Sequence, residues 1–103
     1  MKMESDGERA YPEFEYDPAK SAANLVKHGI DFEMAKELWR DDDSITIALD
    51  YPEEPRLLVV CRISGKHWSA IITHRDDDQV RIISVRPSRQ HEVAAYEQEK
   101  NHR

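Results

Sequence analysis

The chain has 103 residues, with 15 basic and 21 acidic side chains, a net charge of −6 and a single cysteine. That length supports one domain with a modest core and not two. The lone cysteine excludes an internal disulfide and fits a reducing cytoplasm, and the longest apolar run, 57–61, is far too short to span a membrane.

The opening MKMESDGERA lacks the apolar core of a signal peptide, and residues 1–13 read as a flexible acidic tail ahead of a single domain over 14–100. Phe14, Glu15 and Tyr16 alternate apolar and polar, which predicts a short edge strand. Asp17-Pro18 then opens a helix, because the aspartate accepts bonds from free N–H groups and proline suits the first helical position. The helix runs to about His28, with Ala19, Ala22, Ala23 and Val26 as its expected buried face. Lys20, Asn24, Lys27 and His28 form a polar one. Gly29 ends it. A second helix starts at Asp31 or Phe32 and runs to Arg40, burying Phe32, Ala35 and Leu38 or Trp39, and the run Asp41-Asp42-Asp43 stops it.

Strands follow. Residues 44–49 read as strand or loop, and 56–63 is a nearly continuous apolar run suited to a central strand. Ser64-Gly65-Lys66 is a hairpin turn into 68–74, residues 75–78 form the next turn, and 80–86 is the last strand. Such short connections make an antiparallel meander. Cys61 falls inside an apolar strand, where a buried structural thiol is expected rather than a nucleophile. Pro87 closes the meander, and Ser88 is placed to cap a final helix reaching about Lys100, with Val93 and Tyr96 inward. The fold class is α+β.

Charge is distributed unevenly. Residues 1–54 carry 6 basic and 15 acidic side chains, and residues 55–103 carry 9 basic and 6 acidic. The asymmetry fits a basic working surface on an acidic body, and equally a solvated surface with no ligand.

Two stretches carry a family resemblance: FEYDPAKSAANLVKHGIDFEMA near the start, and RIISVRPSRQHEVAAYE near the end, where an arginine is followed six positions on by glutamate and four further by tyrosine. Both resemble the BrnT family, the toxin half of a bacterial type II toxin–antitoxin pair, and the resemblance covers residues 14–97. It implies a RelE-like fold and a ribonuclease that halts translation. It also implies a cognate antitoxin, BrnA-like, with a ribbon-helix-helix part that binds operator DNA. Because such units bind DNA as dimers, a heterotetramer is expected.

RNA cleavage without a metal needs a base for the 2′-OH, an acid for the leaving 5′-oxygen, cations on the phosphate and a hold on the flanking bases. Arginine is the cation of choice, since its planar fork grips two phosphate oxygens. Arg56, Arg75 and Arg86, with Glu92, form the candidate catalytic set. Arg86 matches the arginine of the closing motif. Arg81 lies an odd five positions from Arg86, so a regular strand turns the two to opposite faces unless it bends at Pro87. Glu92 reads either as general base or as an ion-pair partner that orients Arg86 or Arg89. Tyr96 reads as a base-stacking ring or a core residue, and Arg89 as a further RNA contact.

In the first helix, Lys27 is placed to hold phosphate and Asn24 to fix the adjacent loop. His28 reads as either a proton carrier or a helix C-cap. The five histidines show no close pair, so no metal site and no cofactor are expected. A non-catalytic nucleic-acid or partner-binding regulator of the same fold is the alternative reading, motivated by the acidic charge and the lack of an unambiguous base.

Overall fold

The computed structural model describes residues 12–76 and 78–102. The tail expected over 1–13 lies outside them except for Pro12 and Glu13, and Glu13 already belongs to the first strand. In chain order the described elements are β1 (Glu13–Glu15), α1 (Pro18–His28), α2 (Phe32–Ala35) with a 3-10 turn over Lys36–Arg40, β2 (Ile45–Leu49), β3 (Arg56–Ile63), β4 (Lys66–Asp76), β5 (Gln79–Pro87) and α3 (Gln90–Asn101). They form a mixed five-stranded sheet in the order β1-β5-β4-β3-β2. The meander β2 to β5 is antiparallel, and β1 joins the β5 edge in parallel.

Local chemistry sets most boundaries. Asp17 accepts the N–H of Ala19 at 2.9 Å and starts α1. Gly29 ends it at φ +80°, a left-handed conformation that glycine adopts without strain. Asp31 accepts the N–H of Met34 at 2.7 Å and starts α2. Ser64 and Gly65, both at positive φ, make the tight turn between β3 and β4.

One sheet face buries Val59, Cys61, Ala70, Ile72, Val80, Ile82 and Val85 against Phe32, Ala35 and Leu38 of α2 and its turn. Burial there pushes the Cys61 thiol up to about 12, which leaves it inert. The other face packs Leu58 and Val60 against Tyr96 of α3.

Helix α1 overturns its expected orientation. Ala19, Ala22, Ala23 and Val26 face solvent, Val26 at 89% exposure, while Ser21 and Asn24 are buried. The reason is backbone satisfaction. The Asn24 amide donates to the carbonyls of Ile30 and Val85 at 2.8 Å, and its oxygen accepts the N–H of Val85 at 3.1 Å. It thus pairs with β5 as a peptide group would, beyond Arg81 where the register with β1 stops. The Ser21 hydroxyl accepts the N–H of Phe32 at 2.9 Å. Two polar side chains, one completing the β5 edge and the other taking a free N–H at the start of α2, outweigh a stripe of small apolar ones.

A second correction concerns β5. Val80, Ile82 and Val85 all enter one apolar cluster, which strict alternation forbids. The register slips between them: Ile72 faces Ile82, yet Ile71 faces Ser84, so Ile83 is an extra residue. This bulge, rather than a bend at Pro87, returns Arg86 to the face that carries Arg81.

Candidate active site

The α3 face of the sheet therefore carries Arg75, Arg81 and Arg86, in two groups. Arg86 lies opposite Ser69 and Arg81 opposite Thr73. Four residues of β4 separate these positions, about 13 Å at ~3.3 Å per residue.

The first group is built around Glu92, whose side chain is 3% exposed. Arg86 donates through both terminal nitrogens, Nη1 to Oε1 and Nη2 to Oε2, each at 2.8 Å. The Ser69 hydroxyl and the Arg89 backbone N–H also donate to Oε1 at 2.8 Å. The Arg86 fork holds the Glu92 carboxyl at about 2, far below the usual carboxylate range, and the Arg89 N–H and Ser69 hydroxyl act in the same direction against desolvation. The same contact raises the Arg86 pKa. A carboxylate so saturated is a poor proton acceptor and a good orienter.

Ser88, expected to cap α3, instead shares a 2.7 Å hydrogen bond with Ser69. The helix begins one residue later, with Arg89 at its N-cap. His91 is 76% exposed beside this group, its Nε2 4.0 Å from Glu92 Oε2.

The second group is looser. Arg75 Nε lies 3.3 Å and Arg81 Nη1 3.8 Å from Glu15 Oε2, with the two arginine side chains 50% and 39% exposed. Arg56 stands apart from both, its guanidinium 4.5 Å over the Tyr51 ring and its Nε 3.4 Å from Glu54 Oε2.

The remaining candidates separate by burial. Tyr96 is a core residue, with 1% exposure and its hydroxyl donating to Asp41 at 2.8 Å, so its ring is not open to a base. Burial raises its pKa. Asn24 holds the 29–30 loop and the β5 edge, and both of its amide N–H donors are spent there rather than on RNA. Lys27 is exposed and His28 half-buried at the end of α1, and Arg89 is exposed at the start of α3. Sequence reasoning missed Ser69, Ser88, His91 and Glu15. Ser69 and Glu15 meet their arginines only through strand register, whereas His91 stands beside the motif glutamate and was legible. Among the described residues no group of three His, Cys, Asp or Glu is placed to hold a metal.

The sheet face thus presents arginines at two places, one of them locked by a buried carboxylate at a helix start. The family model described as "Ribonuclease toxin, BrnT, of type II toxin-antitoxin system" matches residues 16–92, and the chain belongs to that family. Membership implies an antitoxin partner. The crystal structure of the Brucella abortus ribonuclease toxin BrnT aligns with a TM-score of 0.58 at 21% identity, covering 77% of this chain and 99% of that one, a likeness of fold. No curated protein matches the sequence.

Proposed function

We propose that the arginine face is the active site of a metal-independent endoribonuclease that blocks translation in the cytoplasm. The observation that carries this reading is the bidentate Arg86–Glu92 pair. It fixes a guanidinium, still 20% exposed, at the rim of α3. Such a preset cation stabilises charge as it develops on phosphate, with no reorganisation at the moment of reaction.

In the proposed step the RNA 2′-oxygen bonds to the adjacent phosphorus and the P–O5′ bond breaks. The products are a 2′,3′-cyclic phosphate and a free 5′-hydroxyl. One group takes the 2′-OH proton and another delivers a proton to O5′. Glu92 is assigned to orienting Arg86, the second of its two sequence readings, because four donors already hold its carboxylate and keep it far below the usual range. His91, exposed and with Nε2 4.0 Å from Glu92 Oε2, is assigned to a proton transfer. Arg75 and Arg81 hold a neighbouring phosphate.

The antitoxin is proposed to be BrnA-like, with a ribbon-helix-helix part that brings the complex to operator DNA as a heterotetramer. The fold is read as RelE-like, with residues 14–100 as the toxin domain. The test is incubation of the purified full chain with RNA in excess chelator, with the new ends mapped. Cyclic-phosphate ends formed in chelator support the mechanism. Cleavage restored only by magnesium overturns it. The non-catalytic alternative predicts folded protein that leaves RNA intact and growth unaffected.

A further inference from the structure

We propose that Glu15 is a built-in competitor for RNA phosphate at the Arg75–Arg81 pair, an inference that rests on reading the arginine face as the RNA site. Two guanidinium groups converge on one carboxylate oxygen, Glu15 Oε2, from 3.3 and 3.8 Å. The oxygen is shut off from solvent, yet it makes no aligned hydrogen bond. Its neighbours are therefore close enough for charge attraction and too poorly oriented for full donation.

The contrast with Glu92 identifies the role. That carboxylate is satisfied at both oxygens by four donors at 2.8 Å. Glu15 sits on a strand of three residues at the sheet edge, its side chain one-third exposed. Glu13, Asp76 and Asp78 line the depression beside Arg75, so the local field is acidic. A phosphodiester presents two non-bridging oxygens and can take both forks with proper alignment, which one carboxylate oxygen does not. Binding RNA at this pair thus means displacing Glu15. The acidic residue lowers affinity, and it keeps the free arginines compensated.

The experiment measures binding of a short 2′-O-methylated RNA, which lacks the attacking hydroxyl, to the full-length wild-type chain and to Glu15→Gln, Arg75→Ala and Arg81→Ala. Glu15→Gln is expected to bind about two- to fivefold tighter at low salt, the scale of an exposed ion pair. Its affinity should also fall more steeply with salt, because arginines no longer shielded release more counterions. Glu15→Asp, which keeps the charge on a shorter stem, should fall between the two and provides a second reading should the glutamine variant misfold. If the arginine variants bind weakly while Glu15→Gln binds like wild type or worse, Glu15 is an orienting residue and the proposal is overturned. If neither arginine variant loses affinity, the reading of the arginine face fails first and takes the proposal with it.

Discussion

The two arginine groups on the α3 face use the same chemistry, guanidinium against carboxylate, to opposite ends. At the α3 end Glu92 is buried, bidentate to Arg86 and tied further to Ser69 and the Arg89 backbone. At the β1 edge Glu15 meets Arg75 and Arg81 at longer range, with all three side chains at least one-third exposed. A buried, fully donated pair holds a single geometry, and removing one partner strands a charge. A misaligned pair between partly exposed side chains adds little stability and exchanges readily. The first suits the step in which charge develops. The second suits capture of substrate.

The largest expected consequence of this difference is in stability. Arg86→Ala should cost about 3–5 kcal/mol, since Glu92 is left buried without its counter-ion. Arg75→Ala and Arg81→Ala should each cost under about 1 kcal/mol. Denaturant melts of the three variants decide the matter, and equal losses at both ends would erase the distinction.

Acid should also test the α3 end. Glu92 titrates at about 2 in the folded chain against a reference of 4.5. A folded pKa depressed below its unfolded value stabilises above the unfolded value, and that stability is lost as pH falls through the folded one. Ionised Glu92, through Arg86 first and through the Arg89 N–H and Ser69 as well, should therefore contribute about 3 kcal/mol at neutral pH, disappearing between pH ~4.5 and ~2. Glu92→Gln should flatten this acid limb of the stability curve, read by denaturant melts across that pH range.

The smallest effects belong to binding. Arg75→Ala and Arg81→Ala should each weaken RNA binding and lower the salt slope by about one unit, leaving the single-turnover rate at saturation nearly unchanged. A loss of saturated rate as large as that of Arg86 variants would move these residues into the chemical step.

Much of the fold was legible because its signals are local. Asp17-Pro18, Gly29, Asp31 and Ser64-Gly65 each act within a few residues, and each bounds an element as expected. The errors arise where distant partners decide. Alanine and valine spacing marked α1 as buried on one side, but Asn24 is drawn inward by the open backbone of Val85, 61 residues away. Alternation placed Arg81 and Arg86 on opposite faces, and the Ile83 bulge visible only in the register with β4 puts them together. The sequence left Glu92 open as a general base or as the partner of Arg86 or Arg89, and the structure pairs it with Arg86 in bidentate form. That Glu15 faces Arg75 and Arg81 depends on a parallel pairing of β1 with β5 that no sequence pattern announces.

The central claim is that the bidentate geometry of Arg86, and not its charge alone, supports cleavage. Arg86→Lys keeps the positive charge beside Glu92 and loses the planar fork. The direct measurement is the single-turnover rate of RNA cleavage in chelator by Arg86→Lys and wild type, on samples that melt alike. A fall of about 100-fold or more, on the scale of a lost transition-state contact, is the predicted result. Wild-type cleavage by the folded lysine variant would contradict the account.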